Sequence, residues 1–182
     1  TPGYSGPAEL LDELVEVQGA LAEAGLPRAA WGEVHDFLWQ VQTFGFHLAT
    51  LDVRQNAEIH REIVGRALAE DGWCDRSAEE RRLRLGSALE RDESPTAGLD
   101  AAAKRTLWVF EAMEFCAHRY GTAAIGTYVV SMATDVDDVL TVLLLAQWAG
   151  LADGPEGVVP LDVAPLFESA ATLENAGAIV AR

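Results

Sequence analysis

The feature that most limits the fold of this sequence is a strand-length apolar segment that ends among polar residues and leads directly into a helix. The clearest copy has the apolar residues Phe46, Leu48, Leu51 and Val53, the polar residues Asp52, Arg54, Gln55 and Asn56, and a helix predicted from Ala57 to Glu70. Similar strands are predicted over Gly126–Met132 and Leu161–Glu168. Because helices separate the three strands, the pattern predicts parallel pairing with right-handed crossovers.

Local signals place helices before and between these strands. The predicted helices run from Pro7 to Gly25, from Pro27 with the stripe Trp31, Val34, Leu38 and Val41, from a capping box at Ser77, from Asp100 to Tyr120, from Thr134–Asp135 to Trp148, and from a cap at Thr172. In the helix that ends at Tyr120, the spacing of Leu107, Phe110 and Met113 predicts a buried face.

These elements predict an α/β fold, and in particular part of a helix-rich parallel α/β barrel. The 182 residues would form one internal segment of that barrel domain, with about three strands and six or seven helices. Within it, residues 1–45 are a predicted helical lead-in and residues 46–182 the strand–helix units. No GxGxxG or GxxxxGK[ST] motif follows a strand, which argues against a Rossmann or P-loop nucleotide site.

Composition excludes several classes of partner. With 13 Lys+Arg against 29 Asp+Glu, the formal charge is -16, which disfavours nucleic acid and anionic membranes. Two cysteines cannot form a disulfide framework, so a reducing cytoplasmic location is expected. The longest apolar run, Val139–Ala146, is too short to span a bilayer.

The carboxyl ends of the three strands carry the residues best suited to chemistry. Under barrel geometry Arg54, Ser131, Thr134 and Glu168 would face one mouth. A guanidinium beside a carboxylate suits an anionic substrate held next to Mg²⁺ or Mn²⁺. The residues alone leave open that Arg54 pairs with Asp52 or Glu58 and that Glu168 caps a turn.

Two other charged clusters have simpler interpretations. Asp135, Asp137 and Asp138 resemble a metal cluster, but carboxylates in a first helical turn are better explained by the helix dipole. The chain's cations concentrate at Arg76, Arg81, Arg82, Arg84 and Arg91. Because acidic residues are interleaved with them, a solvated face is favoured over a phosphate site.

Three motifs, in order, resemble phosphoenolpyruvate carboxylase. The family pattern F-G-x-x-L-x-x-L-D-[IV]-R-Q matches from Phe44 to Gln55, with His60 at the family's spacing. Y-V-I-S-M-[AT] matches Tyr128–Ala133, and V-[AV]-P-L-F-E matches Val163–Glu168. The resemblance covers essentially the whole chain but only a minor, internal part of a family member.

The resemblance implies a specific lyase reaction of the kind that fixes carbon and replenishes the tricarboxylic acid cycle. Bicarbonate attacks the phosphorus of phosphoenolpyruvate, and the resulting carboxyphosphate releases carbon dioxide, which the pyruvate enolate captures to give oxaloacetate and phosphate. By position in the motifs, Arg54 is implied as the catalytic, substrate-binding arginine, Leu166 as a pocket residue and Glu168 as a ligand of Mg²⁺ or Mn²⁺. The resemblance also implies a helix-rich parallel (β/α)8-type barrel, assembled as a homotetramer.

Some family features are not found in these residues. Ala57 stands where the family pattern has a serine hydroxyl, and Ser169 stands where threonine is common. In addition, the segments G-Y-S-D-S-x-K-D, T-x-H-P-T and F-H-G-R-G-G do not occur. These segments supply the second metal carboxylate, the catalytic histidine and an arginine-bearing loop. The isolated chain is therefore expected to be inactive and, through unpaired strand edges, to self-associate. A non-catalytic interaction or structural module derived from the family is the alternative.

Overall fold

The computed structural model describes residues 3–96, 98–152 and 158–181, and these form a helix-rich α/β structure. The helices are α1 Pro7–Glu23, α2 Pro27–Ala30, α3 Glu33–Phe44, α4 Ala57–Ala67, α5 Ala78–Glu90, α6 Ala101–Tyr120, α7 Val136–Trp148 and α8 Ala170–Val180. The strands are β1 Leu51–Asn56, β2 Ile125–Ser131 and β3 Val163–Pro165. In the described residues no helix is long and apolar enough to cross a membrane.

One compact unit contains the residues up to Thr50 together with Ala117–Ala124. Its helix α1 begins with proline in the first turn and is followed by Gly25 at φ 73°, as the sequence predicted. The second predicted helix is instead broken into α2 and α3 at Trp31 and Gly32. A Cβ at Gly32 would lie 2.5 Å from the Arg28 carbonyl oxygen, so the break requires glycine. Trp31 is consequently exposed.

The prediction for the first strand was wrong in its first half. After α3 ends at Phe44, the chain turns through Gly45 at φ 52° and Leu48 at φ 67°. Leu48 donates its N–H to the Phe44 carbonyl at 2.9 Å, which closes the turn. Phe46 and Leu48 are therefore exposed turn residues, and β1 begins only at Leu51.

The second unit, Leu51–Cys116 and the residues from Ile125 onward, contains the sheet. Its order is β1-β2-β3 with both pairs parallel, which confirms the predicted pairing. Arg54 is opposite Val129, and Val130 is opposite Pro165. Pro165 ends the short edge strand β3, where a missing N–H is tolerated. Closure of this sheet into a barrel, and the assignment of residues 1–182 to one barrel domain, stay predictions.

The core of the second unit packs α6 against β2. Leu107, Phe110 and Met113 are buried as predicted, and the Phe110 ring stacks on Tyr128 with centroids 4.9 Å apart. The Tyr128 hydroxyl lies 2.8 Å from Nε2 of the fully buried His60. This pair ties the start of α4 to the middle of the sheet.

Burial of His60 predicts a pH-dependent stability. Desolvation lowers the pKa of His60 to about 4 from 6.5, against the opposing charge of Asp138. The unfolded chain therefore takes up the proton first, so stability is complete above pH 6.5 and declines by about 3 kcal/mol as the pH falls to about 4. Thermal unfolding of His60→Gln between these pH values should show a flatter slope than the parent. The same change at exposed His118 is the control, and an equal slope in parent and His60→Gln would contradict this prediction.

Candidate functional site

The carboxyl edge of the sheet brings together the two charged residues that the sequence placed there. Arg54 Nη2 lies 3.2 Å from Glu168 Oε1, although the residues are 114 positions apart. Their side chains are 59% and 37% exposed, so solvent and small solutes can reach both. The structure thus pairs Arg54, at the end of β1, with Glu168 rather than with Asp52 or Glu58. Because the pair is exposed, the guanidinium of Arg54 can bind an incoming anion in place of Glu168, and the carboxylate of Glu168 can bind an incoming cation in place of Arg54.

Glu168 is held by the backbone of the residue that directly follows β2. Its other oxygen, Oε2, accepts the Met132 N–H at 2.7 Å. Glu168 itself lies between β3 and α8, in a short connection whose end is fixed by a helix cap. That cap is Ser169, whose hydroxyl accepts the Thr172 N–H at 3.1 Å, and not Thr172 as predicted. Each carboxylate oxygen therefore has one defined partner and a remaining lone pair.

Backbone hydrogen bonding between the β2 and β3 regions continues beyond Pro165, the last residue of β3. The Leu166 N–H donates to the Val130 carbonyl at 2.8 Å, and the Leu166 carbonyl accepts the Ala133 N–H at 3.1 Å. These two bonds fix Leu166, which is partly buried, next to the end of β2. Its predicted role in lining a substrate pocket stays a prediction.

A buried cluster of two aspartates and two arginines lies beneath this edge. Asp137 Oδ2 is 2.5 Å from Arg81 Nε, and Asp138 Oδ1 is 2.7 Å from Arg61 Nη2. Both aspartate side chains are fully buried. Asp138 also accepts from the N–H and hydroxyl of Thr134, at 2.8 and 3.0 Å. The first-turn carboxylates thus form ion pairs between helices, which the dipole interpretation did not predict.

The Asp137 carboxylate is subject to opposing effects of burial and neighbouring charges. Burial raises the pKa of Asp137, the charge of Asp138 raises it further, and Arg81 opposes both effects. Asp137 Oδ1 and Arg61 Nε have no hydrogen-bond partner among the residues that the structure describes. Among the described residues no three His, Cys, Asp or Glu side chains are grouped so as to hold a metal ion. The cluster is therefore a site of internal pairing.

The prediction that the arginine cluster forms a solvated face is wrong for Arg81 and Arg84. Arg81 is 6% exposed and also donates to the Arg76 carbonyl. Arg84 binds the Glu93 carboxylate through two nitrogens at 2.7 and 2.8 Å and Glu70 at 2.6 Å. Their partners are distant in sequence, so a local charge pattern could not identify them. These cations are occupied by carboxylates and do not form a phosphate site.

A cavity of about 520 Å³ lies beside β1. Arg54 lines it together with Arg66 and Arg105, whereas Glu168 is not among its lining residues. Arg66 Nε is 3.4 Å from Asp100, which partly neutralises this side. Arg54 is thus placed between the cavity and the carboxylate of Glu168.

The donor set at the edge fits part of a hard-cation site. Glu168 offers one accessible carboxylate, and Mg²⁺ typically takes one or two carboxylates with the remaining positions filled by water and substrate oxygens. Among the described residues, Glu168 belongs to no group of three or more His, Cys, Asp or Glu side chains that could hold a metal. A complete metal site would therefore need further protein ligands besides Glu168.

Comparisons with known proteins identify the family of this chain. A profile of the phosphoenolpyruvate carboxylase family matches residues 1–182. Among curated relatives, phosphoenolpyruvate carboxylase from Xanthomonas oryzae pv. oryzae is 42% identical over 167 residues, which cover 91% of this chain and 18% of the relative. That from Mycobacterium avium is 38% identical over 188 residues, covering 98% and 20%.

The fold therefore defines a helix-rich α/β segment with charged residues at the carboxyl edge of a parallel sheet. The chain belongs to the phosphoenolpyruvate carboxylase family. It spans about a fifth of the length of the curated relatives that it matches.

Proposed function

We propose that this chain is the part of a phosphoenolpyruvate carboxylase that carries Arg54 and Glu168 to the active site. Below, the full-length protein means a chain of the relatives' length that contains these 182 residues. The reaction would be carboxylation of phosphoenolpyruvate by bicarbonate to oxaloacetate and phosphate. The observation that supports this best is the Arg54–Glu168 pair at the carboxyl edge of the sheet.

Each residue has a role that follows from its chemistry. Arg54 would bind the carboxylate or phosphate of phosphoenolpyruvate, since guanidinium donors match both groups bidentately. Glu168 would hold Mg²⁺ or Mn²⁺, which when bound stabilises the negative charge of the enolate. Until substrate and metal arrive, the pair neutralises both side chains and holds them near their working positions. Leu166 would contribute to the wall of the pocket.

Several broader features are part of the same proposal. The full-length protein would be a cytoplasmic, homotetrameric (β/α)8-barrel enzyme that supplies oxaloacetate to the tricarboxylic acid cycle. In the isolated chain the outer edge of β1 has no neighbouring strand among the described residues, which supports self-association through that edge. A non-catalytic module remains the alternative function.

The proposal is tested by assaying the isolated chain and the full-length protein side by side. Oxaloacetate formation from phosphoenolpyruvate and bicarbonate is followed by coupling it to malate dehydrogenase. We expect metal-dependent activity from the full-length protein and none above a no-protein control from the isolated chain. The reason is that the family segments implied to supply the second metal carboxylate, the catalytic histidine and the arginine-bearing loop do not occur in these 182 residues. Activity of the isolated chain would overturn the second expectation. A folded, metal-loaded full-length protein without activity would favour the non-catalytic module.

A further inference from the structure

Met132, whose backbone N–H binds Glu168, adopts an unfavourable backbone conformation. Met132 has φ 57°, in the left-handed region that is unfavourable for a residue with a side chain. Such a conformation persists where the surrounding contacts fix it, and it is concentrated at functional sites. Here it turns the Met132 N–H toward Glu168 Oε2, 2.7 Å away.

Contacts on both sides of the segment Met132–Thr134 fix this conformation. On the sheet side, the Ala133 N–H bonds to the Leu166 carbonyl. On the helix side, both the N–H and the hydroxyl of Thr134 bond to Asp138 Oδ2. Arg61 then donates to the Thr134 hydroxyl at 3.2 Å and to Asp138 Oδ1 at 2.7 Å. Arg61 and Asp138 thus form a clamp on Thr134.

The clamp also connects the two strands that carry the site. Arg61 is in α4, which follows β1 without a loop because Asn56 is both the last strand residue and the helix cap. Asp138 is in the first turn of α7, shortly after β2. Its side chain is fully buried and that of Arg61 is 16% exposed, so this charge-assisted contact is little weakened by solvent. The end of β1, which bears Arg54, is thereby held against the segment that orients Glu168.

We propose that Arg61 and Asp138 are positioning residues for Glu168, acting through Thr134 and the amide of Met132. The inference rests on the proposed role of Glu168 as a metal ligand. A carboxylate whose orientation is fixed before the cation arrives binds it more tightly, and loss of such outer contacts typically weakens metal binding about 10- to 100-fold. The clamp therefore sets metal affinity without touching the metal.

The first test measures Mn²⁺ binding to the full-length protein by electron paramagnetic resonance. Asp138→Asn should raise the Mn²⁺ dissociation constant about 10- to 100-fold. Thr134→Val, a milder change, should raise it by a smaller factor in the same direction. Thr141→Val is the matched control, because its hydroxyl bonds the Asp137 carbonyl in the same helix and does not contact the segment Met132–Thr134.

The second test measures the clamp without metal or activity. Hydrogen–deuterium exchange of peptides covering residues 129–135 should become faster in metal-free Asp138→Asn and Thr134→Val, and stay unchanged in Thr141→Val. Melting curves identify variants that fail to fold; if Asp138→Asn is one, Thr134→Val decides the question by itself. Unchanged exchange and unchanged Mn²⁺ affinity in a folded variant would overturn the inference.

A double-variant cycle separates this inference from the proposed function. If Glu168 is the ligand that the clamp positions, Asp138→Asn should have little further effect on Mn²⁺ affinity in a Glu168→Gln background. If Glu168→Gln alone leaves Mn²⁺ affinity unchanged, the metal role of Glu168 fails and this inference fails with it. If Glu168→Gln weakens binding while the clamp variants do not, only the positioning role is overturned.

Discussion

Replacing Glu168 by glutamine in the full-length protein is expected to lower turnover by orders of magnitude and stability by roughly 1 kcal/mol or less. The amide keeps the shape of the side chain and an oxygen that can accept the Met132 N–H. It removes the charge that a hard cation requires. Because the carboxylate is 37% exposed, its ion pair with Arg54 contributes little to folding. Turnover and melting temperature should be measured together across a Mg²⁺ titration.

The matched control is Glu174→Gln, the same change at an exposed position of α8. It should leave turnover at the parent value. In Glu168→Gln, higher Mg²⁺ or replacement by Mn²⁺ should restore part of the activity if the defect is metal affinity. Normal turnover at low Mg²⁺, or melting many degrees below the parent, would instead make Glu168 a structural residue.

Replacing Arg81 by alanine is expected to be the most destabilising single change at an arginine of this chain. Arg81 is 6% exposed, and its removal leaves the carboxylate of Asp137 buried with Arg61 Nε 3.9 Å away as the remaining cation. Breaking a buried ion pair by removing one partner typically costs about 3–5 kcal/mol. Chemical denaturation of the parent and variant measures the difference.

The neighbouring residue provides the control for Arg81. Arg82→Ala removes a cation that pairs with Glu79 on the surface of the same helix, and it should cause a far smaller loss. The double change Arg81→Met with Asp137→Leu should recover much of the loss, because it removes both charges and fills a similar volume. Equal losses for Arg81→Ala and Arg82→Ala would show that the buried pair does not form.

Elements with strong local signals could be predicted from the sequence. The capping box at Ser77 forms with Glu80 and begins α5 as expected. The face of α6 with Leu107 and Phe110 is buried because its spacing matches the helical repeat. In both cases neighbouring residues along the chain contain the whole signal.

The errors lie where distant contacts decide the structure. Arg81 was assigned to a solvated face because Glu79 and Glu80 are near it in sequence, whereas its partner Asp137 is 56 residues away. Phe46 and Leu48 have the composition of a strand, but the end of α3 and the turn at Gly45 exclude them from the sheet. Composition and period cannot indicate such competition.

The candidate site was predictable only in part. The meeting of Arg54 and Glu168 followed from parallel strands, whose carboxyl ends share one edge. The role of Met132 was not predictable, because a backbone N–H has no signature in the sequence. The contacts of Arg61 and Asp138 with Thr134 were not predictable either, because each residue is typical of its own helix or cap and gives no local sign of the others.

The measurement that tests the central claim most directly is anomalous diffraction from Mn²⁺ bound to crystals of the full-length protein. The claim is that the Arg54–Glu168 pair marks the edge where metal and anionic substrate meet. We expect an anomalous peak within direct coordination distance of a Glu168 carboxylate oxygen, with Arg54 released toward the substrate side. A peak bound by other residues, with Glu168 still paired to Arg54, would contradict the claim.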